Sequence, residues 1–152
     1  MEKPMSFFSG EYESKLDAKG RIVLPSRIKA NLPETSGSNI VITRGFESCL
    51  VIYSLLEWNK ILFKIAGLSE FNDEQRNLQR NLISRSVEAE LDNLGRFVIP
   101  KKMIEYAKLE SSDITILGVG NKIEVWNTAA YEQIQIKDNA ELSKLAEKYL
   151  GA

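Results

Sequence analysis

Leu16-Asp17-Ala18-Lys19-Gly20-Arg21-Ile22-Val23-Leu24-Pro25 occurs again, 75 positions on, as Leu91-Asp92-Asn93-Leu94-Gly95-Arg96-Phe97-Val98-Ile99-Pro100. The copies share the frame L-D-x-x-G-R-φ-V-φ-P, where φ is apolar: six positions are identical and two agree in kind. The pattern reads as strand, tight turn, strand. Asp suits the first turn position because its carboxylate can accept from backbone N–H groups two residues on. Gly supplies the positive φ that a Cβ penalises. Arg then leaves the turn in a fixed direction, with a guanidinium shaped to meet an anion. Twice over, the chain builds a turn that aims an arginine. Arg21 and Arg96 are the first candidate binding residues, and Asp17, Gly20, Asp92 and Gly95 form the turns that hold them.

Charge gathers around both copies. Between positions 15 and 29 stand Lys15, Lys19, Arg21, Arg27 and Lys29 against Asp17, a local charge of +4. Between 96 and 108 stand Arg96, Lys101, Lys102 and Lys108 against Glu105, a local +3. The whole chain carries only −1, so these clusters are set off against acid elsewhere. A run of charge is ordinarily a solvated face. Two runs around one repeated turn instead extend the candidate anion-binding set to Lys19, Arg27, Lys101 and Lys102.

The flanks repeat as well. Residues 11–16 read as a strand with a weak apolar face at Tyr12, Ser14 and Leu16. After the turn comes an apolar strand, then Pro25, expected at the first helical position, where its missing N–H costs nothing. Ile28 and Leu32 line one face of that short helix, and Pro33 ends it. A loop through residues 34–38 leads to a hairpin built from 39–43 and Cys49–Tyr53. The second half replays this with strand 86–91, strand 96–99, a helix opened by Pro100 and carrying Met103, Tyr106 and Ala107, and the hairpin 113–117 with 122–126. Tyr53 corresponds to Trp126, and Trp58 to Tyr131. Between the halves, Ser54-Leu55-Leu56-Glu57 has the form of a capping box. It opens a helix with Leu55, Trp58, Leu62 and Ile65 on its buried stripe and Gly67 at its end. Asn72 caps a second helix over 73–85, with Leu78 and Leu82 on one face. Asn127 caps the last shared helix. Residues 138–150 suit one more, with Leu142, Leu145, Ala146 and Tyr149 on its apolar side.

These elements divide the chain into repeat 1 (11–57), linker helices (58–85), repeat 2 (86–129) and a helical tail (130–152). The fold class expected is mainly β with short helices (α+β). Neither hairpin-rich half can bury much apolar area alone. The halves are therefore expected to interleave into one closed, pseudo-two-fold barrel, which also removes strand edges.

Several chemistries fall away. Histidine is absent, which excludes Ser-His-Asp and Cys-His catalysis and His-ligated metals. The single cysteine, Cys49, can form no intrachain disulfide and belongs to no cluster of soft ligands. In its strand-like run it reads as a small buried hydrophobe. Gly118-Val119-Gly120 lacks the frame of a phosphate-binding loop and lies between two strands, so it reads as a hairpin turn. Asp17 and Asp92 as an acid–base pair have no nucleophile, base or metal beside them. Each arginine could also pair with the aspartate four residues before it, which would orient the guanidinium without consuming its five donors. No catalytic residue, metal ligand or cofactor site is expected. No run of 18 apolar residues exists, so no membrane-spanning segment is read. The start lacks the apolar core of a signal peptide, which points to the cytoplasm.

The doubled D-x-x-G-R, the 75-residue spacing, the C-L-V-I-Y-x-L-x-E-W segment from Cys49 and the Gln79-Arg80-Asn81-Leu82 frame of the linker helix together resemble the MraZ family, within the wider AbrB-like swapped-hairpin group. The resemblance covers about residues 7–135. It implies a barrel of two AbrB-like halves, a ring-like homo-oligomer and double-stranded DNA as partner. It also implies a cytoplasmic, nucleoid-associated transcriptional regulator, not an enzyme, acting at direct-repeat boxes in the promoter of the bacterial division and cell-wall gene cluster, its own gene included. Arg21 and Arg96 match the DNA-contacting arginines of that family. The rival from another class is an oligomeric scaffold or antitoxin-like protein whose basic turns pair with an acidic partner.

Overall fold

The repeated strands β2 (Arg21–Val23) and β6 (Arg96–Val98) pair with each other, across the 75 residues that separate them. This computed structural model describes residues 7–34, 37–110 and 113–151. The expected loop at Thr35 and Ser36 and the Met1–Ser6 start lie outside them. The other strands are β1 (Glu11–Ser14), β3 (Asn39–Arg44), β4 (Leu50–Ser54), β5 (Val87–Glu90), β7 (Ile114–Val119) and β8 (Lys122–Asn127). The helices are α1 (Ser26–Ala30), α2 (Leu55–Ala66), α3 (Asp73–Ile83), α4 (Lys101–Ala107), α5 (Thr128–Ile134) and α6 (Asn139–Leu150).

The result is a mixed α+β fold with two antiparallel sheets. One has six strands in the order β1-β7-β8-β4-β3-β5, and the other is the β2/β6 ribbon. The order of the large sheet reads the same backwards when each strand is exchanged for its counterpart in the other half. The expected closed barrel is not formed. Closure would need β2 and β6 to continue the ladders of β1 and β5. Instead the Asp17 and Asp92 turns redirect the chain out of the sheet, and each following strand finds its twin. The edges left open, β1 and β5, carry Glu11, Glu13, Glu88 and Glu90, charges that discourage edge-to-edge pairing.

The core lies between the ribbon and one face of the large sheet. Ile22 and Phe97 from the ribbon, Leu24 and Ile99 after it, Ile28 from α1 and Met103 and Ala107 from α4 pack against Ile40, Ile42, Leu50, Ile52, Ile114, Ile116, Ile123 and Val125. Alternation then sends Val51, Tyr53 and Trp126 to the opposite face, where Tyr53 meets Trp58 of α2 and Trp126 meets Tyr131 of α5. The predicted aromatic correspondence therefore becomes two equivalent contacts on one face of the sheet.

Local signals govern the element ends. Ser54 Oγ accepts from Glu57 N–H at 3.1 Å and Asn72 Oδ1 from Gln75 N–H at 3.0 Å. Asn127 Oδ1 accepts from Ala130 N–H at 3.1 Å. The Glu57 carboxylate accepts from Asn121 Nδ2, tying α2 to the β7–β8 turn. Pro25 and Pro100 stand one position earlier than expected, as extended residues before α1 and α4. Their carbonyls accept from Lys29 and Ile104 N–H, the first bonds of those helices. The Gly118-Val119-Gly120 run is the end of a tight hairpin, with Gly120 at φ +70°. Cys49 is buried. Helix α6 buries none of its side chains.

Candidate functional site

The two turns are built alike, atom for atom. Asp17 Oδ1 accepts from the N–H groups of Lys19 and Arg21, both at 2.9 Å, and Asp17 Oδ2 accepts from Arg21 Nε at 2.7 Å. Asp92 repeats this with Leu94 N–H, Arg96 N–H and Arg96 Nε at 2.9, 2.9 and 2.7 Å. Gly20 and Gly95 close the turns with φ of +74° and +77°, and their N–H groups return to the carbonyls of Asp17 and Asp92. A Cβ would make only ordinary contacts at Gly20 and would press the flexible Lys29 side chain at Gly95, but at both the backbone would be strained, so the need for Gly is first of all conformational. Both carboxyls are held below their ordinary value, first by the backbone N–H of the arginine, then by its side chain. Each aspartate thus stays ionised and grips one edge of its guanidinium. Among the described residues no hydrogen bond or ion pair engages the terminal nitrogens of either arginine.

The sequence presents two separate turns; the fold makes them one surface. In the ribbon Arg21 lies opposite Val98, Ile22 opposite Phe97, and Val23 opposite Arg96. Ile22 and Phe97 point into the core, so Arg21, Val23, Arg96 and Val98 share the outer face. The arginines are diagonal neighbours, about 7–8 Å apart at Cα, and so are the valines. Val23 and Val98 are 47% and 56% exposed. Sequence reading missed both as surface residues. The signal was present, since Val is one of the six identical positions of the frame, but a strand-like apolar run hides which members face out.

The helices cross over too. Leu24 N–H donates to the Gly95 carbonyl and Ile99 N–H to the Gly20 carbonyl, each at 2.9 Å. The helix after each strand therefore begins beside the other half's turn. A Cβ on Gly95 would lie 3.3 Å from Lys29 Cδ, and one on Gly20 would lie 3.6 Å from Ile104 Cδ1. The basic clusters are thus shared differently from their order in the chain. Arg27 and Lys29 belong with the Arg96 turn, and Lys101 and Lys102 with the Arg21 turn. All four of these side chains and Lys19 are exposed. Lys29, counted in the basic run but not singled out, is brought to the site by this exchange. Each turn keeps one close lysine. At the first it is Lys19 in the turn itself, with Ile104 above; at the second the turn carries Leu94, and Lys29 comes from α1.

This arrangement offers fixed cations on a partly apolar ribbon face. It offers no nucleophile beside a base, and Asp17 and Asp92 sit at opposite ends of the ribbon. Among the described residues no three Cys, Asp or Glu side chains converge to hold a metal ion. Nor is any helix among them long and apolar enough to cross a membrane.

Comparison with known proteins agrees with this doubled construction. The sequence model of the family described as "MraZ protein, putative antitoxin-like" matches twice, over residues 7–81 and 82–151. A protein of Cytophaga hutchinsonii named transcriptional regulator MraZ is 52% identical over 147 residues, covering 97% of both chains. Proteins of the same name from Pseudomonas syringae pv. syringae and Acetivibrio thermocellus are 38% and 36% identical. They cover 90% and 93% of this chain and 91% and 95% of their own. With its two D-x-x-G-R turns joined in one ribbon and both halves matched by the family model, this chain belongs to the MraZ family.

Proposed function

We propose that this chain is a sequence-specific DNA-binding transcriptional regulator, and not an enzyme, with the β2/β6 ribbon as its DNA-reading element. The observation that carries this reading is the gathering of Arg21 and Arg96 on the outer face of the ribbon, each held through Nε by its own aspartate, with no other hydrogen bond or ion pair on its terminal nitrogens among the described residues. A two-stranded ribbon fits the major groove of B-DNA, where arginine pairs with guanine O6 and N7. Lys19, Lys29, Arg27, Lys101 and Lys102 surround it as phosphate-positioning charges. The names of the relatives support regulation of transcription. The target proposed is a set of short direct repeats in the promoter of the division and cell-wall gene cluster, including this protein's own gene, reached in the cytoplasm at the nucleoid.

A few phosphates per chain give modest affinity, so the reading includes a homo-oligomeric ring that multiplies it through effective concentration. Self-association is supported by Phe63 and Phe71, 82% and 88% exposed around the α2–α3 connection. The chain is read as two interleaved, pseudo-two-fold repeats (11–57 and 86–129), linker helices (58–85) and a tail (130–152). The family's antitoxin-like description favours one second reading, an oligomer whose basic turns neutralise an acidic protein partner.

Band shifts with duplex DNA from the promoter of its own gene, at several salt concentrations, separate the two. Under the DNA reading, log K falls linearly with log[salt], with a slope of about −0.9 per phosphate neutralised. Arg21→Ala and Arg96→Ala each weaken binding by about ten-fold or more, the worth of one arginine–guanine pair, and leave the circular dichroism spectrum unchanged. Unchanged affinity in both variants, or a flat salt response, removes the ribbon as the DNA site and leaves the partner-protein reading.

A further inference from the structure

Val23 and Val98 pose a problem that the fold does not solve. They hold an identical position in both copies of the repeated frame, yet roughly half of each is in water. Their neighbours along the chain, Ile22, Leu24, Phe97 and Ile99, are the ones that fill the core. Strand preference explains a β-branched residue there, but threonine would meet it equally and suit water better. The apolar side chain needs another partner, and its place identifies one. Each valine stands directly across the ribbon from an arginine and diagonally from the other valine, so arginine and valine positions alternate on that face, about 5 Å apart across the ribbon and about 7 Å along its diagonals.

We propose that Val23 and Val98 are base-reading residues, set to receive the C5-methyl groups of thymines while Arg21 and Arg96 take the edges of adjacent guanines. This rests on the DNA-binding reading of the ribbon and adds what the ribbon reads. In the major groove thymine alone among the four bases presents a methyl group, and guanine presents the two acceptors that suit a guanidinium. An apolar group beside a fixed cation therefore selects thymine next to guanine. The Nε bond to aspartate leaves the two terminal nitrogens of each arginine for the base, and fixes where the guanidinium points relative to the valine beside it. RNA would serve poorly, since uracil lacks the methyl group and the A-form major groove is too deep and narrow for the ribbon.

The test removes the methyl groups from the DNA and the valine character from the protein, separately and together. Duplexes are selected with the full-length protein from a randomised pool, then resynthesised with either dTTP or dUTP. The wild type is expected to bind the thymine duplexes more tightly, by about four-fold for each thymine methyl that a valine covers, the effect of burying one methyl-sized group. The double variant Val23→Thr/Val98→Thr keeps β-branching and shape. It is expected to fold, to retain the salt slope, and to show a smaller thymine-over-uracil ratio than the wild type, since threonine keeps only one of valine's two methyl groups. Equal binding of both duplexes by the wild type overturns the proposal and leaves the DNA reading standing. No selectable duplex at all overturns both. If the variant changes the size of the oligomer while the thymine-to-uracil ratio stays as in the wild type, the valines belong to an interface between copies, and the proposal is overturned.

Discussion

Asp17 and Asp92 show how one side chain does two jobs in this structure. The first oxygen ties down the turn through two backbone N–H groups; the second fixes the arginine. Because these bonds favour the ionised form, each carboxyl has a folded pKa below its ordinary 3.8. The stabilisation this gives the turn is complete above the unfolded value. It is lost as pH falls through the depressed folded value, so the turns hold throughout the neutral range and loosen only in strong acid. Carbon-detected NMR titration of the two carboxyls should give midpoints below 3.8, and midpoints at or above it would mean the bonds are not made in solution. Cys49 is the opposite case. Burial first, then Glu124 and Glu47, push its thiol up to about 12. A thiol reagent at about pH 8 should therefore leave the native protein unmodified and react only on unfolding, since it is the thiolate that attacks.

The secondary elements divide into those whose partners are near in sequence and those whose partners are not. The β3–β4 and β7–β8 hairpins and the caps at Ser54, Asn72 and Asn127 were legible, because turn chemistry and apolar periodicity act over a few residues. The pairing of β2 with β6 was not. Periodicity tells which residues face inward but not which strand lies alongside, and a strand of three residues carries too little pattern to choose a partner 75 positions away. The closed barrel expected from the small apolar area of each half and from its strand edges is not needed, because the ribbon and helices cover one face of the large sheet and its edge strands carry charge. The exchange of helices follows from the exchange of strands, and it has a measurable consequence. Lys29, in the first half, should act with the arginine of the second. Lys29→Ala is expected to lower the salt slope by about 0.9, the share of one phosphate. In double-variant cycles its effect on affinity should couple to Arg96→Ala and be additive with Arg21→Ala. Coupling to Arg21 instead would mean that each half serves its own turn.

For the proposed ring, subunit polarity sets the spacing of the operator boxes more firmly than their orientation. A ring joined head-to-tail offers the same ribbon in the same sense at each subunit, so its natural target is a direct repeat. Boxes about 10–10.5 bp apart meet it on one side of the duplex. A ring curves away from straight DNA, so engaging several boxes needs bent DNA or a deformed ring. The ribbon itself, however, is nearly indifferent to direction. Exchanging its strands carries Arg21 opposite Val98 onto Arg96 opposite Val23. Only its ends differ, with Lys19 and Ile104 at one and Leu94 and Lys29 at the other. Spacing should therefore be read strongly and box orientation weakly. Shifting alternate boxes by half a turn, about 5 bp, forbids simultaneous engagement and should cost most of the avidity, on the order of a hundred-fold. Inverting alternate boxes at unchanged spacing should cost only a few-fold, as about one phosphate contact per inverted box is misplaced. Band shifts and footprints on the three templates check both. If the respaced array binds as well as the phased one, the head-to-tail ring is wrong. If inversion costs as much as respacing, direction is read by residues outside the ribbon.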